Sequence, residues 1–249
     1  MVKNIILLVA AALALYLLIS GAFMYWRFKV GQGLAQSAVA FQKPDSHAEL
    51  RFLFLGDSTA VGVGASDPSK SLAGLFAKDF PTAQIENRGV SGMRVHGLLE
   101  TFQPKAGEHY DLVVINIGGN DIVHFTDPES YTLDIKTIFE RARSVSENVV
   151  VLHGGDIVHV PFFPWPLGYV YLGRTEKLRG IFIQAASETG VNYIDIYSAE
   201  KTDPRSRVRS VWFAKDSFHP NNNSYQFWYE QIRKEMDRAG ILKDATKAG

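Results

Sequence analysis

FLFLGDSTAVGVGAS, residues 52 to 66, runs an apolar stretch straight into Gly-Asp-Ser-Thr and then returns to glycine at 62 and 64. A buried strand that ends in a small, polar, glycine-rich turn serves one of two chemistries: the turn cradles a phosphate, or it presents Ser58 as a nucleophile. The phosphate reading fails on the residues themselves. A phosphate loop of the Gly-Lys-Ser/Thr kind needs a lysine that is absent here. Asp67 stands where the third glycine of G-x-G-x-x-G would be, counted from Gly62 and Gly64.

Outward from this stretch, β-rich runs at Arg51–Leu55, Gln84–Asn87, Leu112–Ile117, Asn148–Leu152 and Tyr193–Ile196 alternate with helical patterns. The helical patterns cover about Ser71–Asp79, Val95–Thr101, Ser130–Val145, Glu176–Thr189 and Ser224–Ala239. The middle strands are continuously apolar, as expected when helices cover both faces of a parallel sheet. The order predicts a three-layer α/β/α domain on a five-stranded parallel sheet. Ligands of such sheets bind beyond the carboxyl ends of the strands. Those ends carry GDST (56–59), NRGVSG (87–92) and GGND (118–121), and DSFHPN (216–221) precedes the last helix.

These segments hold the parts of a serine acyl-transfer site, which needs a nucleophile, a base, an orienting acid and donors for the oxyanion. Ser58 is the hydroxyl. His219 is the imidazole that takes its proton, and Asp216, three residues earlier, accepts from the other ring nitrogen. Asn120 offers a side-chain amide and Gly89 a backbone N–H; with the N–H of Ser58 they make a three-donor oxyanion hole. Asp57, Asp121, Asn87 and Ser91 read as turn-stabilising groups. His153, ending the fourth strand in HGGD, precedes no nucleophile, so it is not an oxyanion loop, although it can face the pocket. The remaining histidines lack metal-ligand spacing, and no metal or cofactor is expected.

Ser58, Gly89, Asn120 and His219 occur in the order and surroundings of the SGNH (GDSL-type) hydrolases, which this chain resembles over about residues 52 to 231. Gly56-Asp57-Ser58-Thr59 departs from that family's first block only at Thr59. The resemblance implies a flavodoxin-like α/β/α sandwich and cofactor-free hydrolysis of an ester or thioester. It also implies Ser58 as nucleophile, His219 as base, Asp216 as its orienter, and Ser58, Gly89 and Asn120 as oxyanion donors. A lysophospholipid or other lipid-like acyl ester is the leading substrate expectation. A carbohydrate O-deacetylase or O-acyltransferase acting on envelope glycans is the alternative.

Two further segments bear on function. Ile5 to Trp26 contains no charged residue and ends in Tyr25-Trp26, followed by Arg27 and Lys29. That is long enough to cross a hydrocarbon core and is flanked as a spanning helix is. The reading is an uncleaved anchor over 1–29, a linker over 30–49 and a hydrolase domain over 50–245, with a cleaved signal peptide as the rival. Lys3 on one flank and Arg27 and Lys29 on the other leave the orientation nearly tied; the family resemblance favours a periplasmic or extracellular domain. The second segment is VHVPFFPWPLGYVYL, Val158–Leu172, whose prolines forbid a regular helix or central strand. It is expected to wall the active site and touch acyl substrate through Phe162, Phe163 and Trp165.

Composition sets the outer limits. Lys plus Arg and Asp plus Glu both number 26 in 249 residues, so no basic surface points to nucleic acid. The absence of cysteine excludes disulfides, thiolate catalysis and cysteine-bound zinc.

Overall fold

The computed structural model describes residues 1–202 and 211–242; the expected domain end at 245 lies outside them. Five parallel strands form one sheet in the order β2-β1-β3-β4-β5. They are β1 (Leu50–Gly56), β2 (Ala83–Asn87), β3 (Leu112–Ile117), β4 (Val149–His153) and β5 (Asn192–Ile194). The register sets Phe52 beside Leu112 and Ile117 beside His153, so β1, β3 and β4 end close together.

Alternation along these buried strands builds two cores. Leu53, Leu55, Val113, Ile115, Val149 and Val151 point to one face. There they pack on α4 (Val95–Thr101), α6 (Pro128–Val145) and α7 (Leu172–Thr189), through residues such as Leu98, Ile138 and Phe182. Phe52, Phe54, Leu112, Val114, Val150 and Leu152 point to the other. There they meet α3 (Leu72–Asp79) and α9 (Asn222–Ala239), through Phe76, Tyr225 and Ile232. The expected three-layer sandwich is therefore present.

Helix ends follow local chemistry. Ser71 caps α3 by accepting from the Gly74 N–H, Asp127 caps α6 through Glu129 and Ser130, and Asn221 caps α9 through Asn223 and Ser224. One expected boundary is corrected. β5 stops at Ile194 because Asp195 turns the chain into α8 (Ile196–Thr202), its carboxylate accepting from the Ser198 N–H at 3.2 Å.

The N-terminal helix α1 runs from Val2 to Ser37, well past the apolar stretch and into the expected linker. It is long and apolar enough to cross a membrane, with a mean hydropathy of 2.6 over its best window, almost all of it uncovered by protein. The chain beyond it is tied to the sheet. Lys43 forms an antiparallel bridge with Ile85 on the outer side of β2. Gln42 exchanges two hydrogen bonds with the backbone of Asn87, at 2.6 and 2.9 Å.

Candidate active site

The first strand ends at Gly56, and Asp57 caps the four-residue helix α2 (Ser58–Val61), accepting from the N–H and hydroxyl of Thr59 at 2.8 and 2.7 Å. Ser58 thereby begins a helix, where its own N–H has no intrahelical acceptor. The two glycines that follow serve close packing. Gly62 closes α2 in the left-handed conformation, with φ +94°. At Gly64, φ is +92° and a Cβ would lie 2.2 Å from the carbonyl oxygen of Pro220. Only glycine lets the Ser58 loop sit against the turn that carries His219. The Tyr225 hydroxyl, donating to the Val63 carbonyl at 2.8 Å, fixes the same contact from α9.

That turn is built around one carboxylate. Asp216 Oδ1 accepts from the N–H groups of Phe218 and His219 at 3.0 and 3.1 Å, and Oδ2 holds His219 Nδ1 at 2.5 Å. The other ring nitrogen, Nε2, lies 3.1 Å from Ser58 Oγ. Ser217 takes a positive φ, 59°, to close the turn. Burial pushes the Asp216 carboxyl up. The His219 ring and the two backbone donors outweigh that and hold it below the ordinary aspartate value. Ser58, Asp216 and His219 thus meet as an acid–imidazole–hydroxyl relay.

The oxyanion side agrees in part. Asn120, in α5 (Gly119–Val123), gives one amide hydrogen to the Met93 carbonyl at 3.1 Å, which orients the group and leaves its second hydrogen. Gly89 does not fit the role expected of it. Its N–H donates to Asn87 Oδ1 at 2.9 Å, and that amide is itself fixed by donating to the Ala60 carbonyl at 2.8 Å. The other glycine of NRGVSG is exposed. Gly92 has φ +80°, open space where a Cβ would be, and a position directly before Met93, the residue that receives Asn120. Asp121 stays structural: its carboxylate accepts from the Val95 N–H at 3.1 Å and the Thr126 hydroxyl at 2.9 Å.

Ser58, Asn120 and His219 line a cavity of about 260 Å³. Its walls are mainly apolar and include Ile157, Val160, Trp212, Phe213, Phe218 and Trp228. Glu200 also lines it. Burial raises its carboxyl to about 7, against hydrogen bonds from the Trp228 indole, at 2.9 Å, and the Asp156 backbone. Asp57, beneath the serine, is raised to about 6, again by burial.

The Val158–Leu172 segment meets its expectation only in part: Val160 walls the active-site cavity, but the three aromatics expected to touch substrate do not. Phe162, Phe163 and Trp165 line a second cavity, of about 370 Å³, against Ile19, Ser20, Phe23, Met24 and Arg27 of α1. Phe162 still reaches the first cavity indirectly, its ring 5.6 Å from that of Phe218. His153 does not face the pocket. It is buried behind Gly118, and burial, then the Arg179 charge, lowers its imidazole to about 4.

Sequence reasoning missed Glu200 and Trp228 as cavity-lining residues. Trp228 stands one helical turn from Ser224, which also lines the cavity, whereas nothing local marks Glu200 as a lining residue. Among the described residues no cluster of side chains is arranged to hold a metal ion.

Residues 54–227 match the model of the GDSL-like lipase/acylhydrolase family. Sequence comparison with curated proteins finds no match. Among solved structures, TesA is similar at 21% identity and a TM-score of 0.59, over 78% of this chain and 99% of that one. A lipase/acylhydrolase from Enterococcus faecalis is similar at 20% identity and 0.58, over 75% and 95%. Axe2, an acetylxylan esterase from Geobacillus stearothermophilus, is similar at 17% and 0.56, over 76% and 94%.

Proposed function

The chain belongs to the GDSL-like lipase/acylhydrolase family, and on that premise we propose that it is a membrane-anchored serine hydrolase of acyl esters, favouring lipid-like ones. The observation that carries this reading is the relay from Asp216 through His219 to Ser58, opening on an apolar cavity.

In this mechanism His219 Nε2 takes the Ser58 proton as Oγ attacks the ester carbonyl carbon. Asp216 holds the imidazole in the tautomer that leaves Nε2 free to accept. The oxyanion of the tetrahedral intermediate receives the N–H of Ser58, the free amide hydrogen of Asn120 and the N–H of Gly92, which takes the place expected of Gly89. Imidazolium returns its proton to the departing alcohol oxygen, leaving an acyl-Ser58. Water, deprotonated by His219, attacks that ester in turn, and the carboxylic acid leaves as Ser58 recovers its proton. The apolar walls fit an acyl chain, each buried CH₂ being worth ~0.8 kcal/mol. The anchor reading rests on the length and hydropathy of α1.

The similarity to an acetylxylan esterase keeps a carbohydrate O-acetyl ester as the second reading, with Trp212 and Trp228 in the cavity as its support. Hydrolysis of p-nitrophenyl esters from C2 to C16, beside a lysophospholipid and an acetylated glycan, tests the choice. Rates that rise with chain length support the lipid reading. Preference for the acetylated glycan, with rates falling beyond C2, would reverse it.

A further inference from the structure

The proline-aromatic loop sits on a part of α1 that reads as membrane. Arg27, at the end of the apolar stretch, donates to the carbonyls of Pro161 and Phe162. Tyr16, within that stretch, donates its hydroxyl to the carbonyl of Trp165. Ten residues of helix separate Tyr16 from Trp26, a drop of ~15 Å at 1.5 Å per residue. The loop therefore descends beside α1 from the level of its flanking aromatics and cations to about the middle of the span. Its tip is apolar and uncovered: Trp165 is 76% exposed, Val170 62% and Tyr169 53%.

An irregular segment in hydrocarbon needs its backbone groups satisfied. Pro161, Pro164 and Pro166 carry no N–H. The N–H groups of Phe162, Phe163, Leu167 and Tyr169 go to Ser217, Val160, Pro164 and Pro166 at 2.7 to 3.2 Å. The carbonyls of Pro161 and Trp165 are taken by α1. The proline spacing that rules out a regular helix thus lowers the cost of immersion.

We propose that the segment from Pro161 to Val170 enters the leaflet beside α1, and that the substrate is an acyl ester drawn directly from the bilayer. The 370 Å³ cavity between α1 and Phe162 receives the chain, and the Phe162–Phe218 contact leads its ester toward Ser58. This rests on the reading of α1 as a membrane span, and on the serine-hydrolase reading for the chemistry.

The chain has no cysteine, so single substitutions give unique spin labels on the full-length protein in phosphatidylcholine–phosphatidylglycerol vesicles. Labels at Trp165→Cys and Val170→Cys report the loop, Leu18→Cys the span, and Leu133→Cys, on exposed α6, the water reference. The expected result is that 165, 170 and 18 favour collision with oxygen over a water-soluble nickel chelate, with 133 the reverse. Loop labels that behave like 133 while 18 is immersed would overturn the inference and leave the anchor standing. A label at 18 that behaves like 133 would overturn both. In a second arm, Val170→Asp is expected to lower the ratio of vesicle-borne lysophospholipid hydrolysis to p-nitrophenyl acetate hydrolysis at least tenfold. An unchanged ratio overturns the bilayer-substrate half. Loss of both activities in the wild type would instead defeat the serine-hydrolase reading, with the depth result still readable.

Discussion

Gly31 of the N-terminal helix lies against the carboxylate of Asp216: a Cβ at residue 31 would stand 2.9 Å from Oδ2, the oxygen that holds His219. The helix thus covers the acid of the relay, which is only 1% exposed. That carboxylate is pinned by three hydrogen bonds and cannot swing away without turning His219. Gly31→Ala is therefore expected to lower kcat about tenfold or more, since misplacement approaching 1 Å can cost a hundredfold. Unchanged kcat in purified Gly31→Ala would show that the contact does not position the acid.

The relay itself makes a graded prediction. Ser58→Ala and His219→Ala should each reduce ester hydrolysis by ~10⁴-fold or more. Asn120→Ala should cost about 10²–10³-fold, the scale of one oxyanion donor. Steady-state kinetics on p-nitrophenyl butyrate checks the order. Near wild-type turnover of Ser58→Ala would end the serine mechanism.

How much of this was legible in the chain differs by element. β3 and α4 were readable residue for residue, because an apolar run between turn residues and a period near 3.6 are local signals. Ser58, Asp216 and His219 were readable because their blocks fall at strand ends and a helix start. The engagement of the Gly89 N–H was not readable, because its acceptor is Asn87, whose amide is aimed by the Ala60 carbonyl of α2. The contact of Gly31 with Asp216 is purely tertiary, and so is the place of Glu200 in the cavity wall. No window of sequence contains either.

His153 supplies a pH prediction. Its imidazole is lowered to about 4, chiefly by burial, from an ordinary value near 6.5. Between those values the unfolded chain binds the proton and the folded chain does not. Stability from this group is complete above pH ~6.5 and is lost as pH falls toward 4, by ~3 kcal/mol at most. Glu200 and Asp57, raised by burial, act in the opposite sense over neighbouring pH, so the effect is read as a difference between proteins. Neither ring nitrogen of His153 has a side-chain partner, and the ring lies 5.1 Å from that of Phe182. His153→Phe should flatten the acid limb of the melting-temperature profile relative to wild type. A parallel pair of profiles would contradict the assignment.

Residues 42 and 43 predict a boundary for shortened chains. A protein that begins at residue 46 loses two hydrogen bonds to Asn87 and two to Ile85. At about 0.5–1.5 kcal/mol each, that is roughly 2–6 kcal/mol. It should unfold at lower urea than one that begins at residue 40, and the glycine loop after Asn87 should exchange its amides faster. Equal midpoints would show that the Gln42 and Lys43 contacts add nothing.

The Lys43–Ile85 bridge has one more effect. β2 is an outermost strand of the sheet, and an uncovered edge is a template on which another copy can add its own strand. A passing chain carrying a lysine lies across that edge, while the opposite border, β5, is only three residues long and turns at once into a helix. Closing both borders of the sheet lets many copies crowd together without polymerising edge to edge.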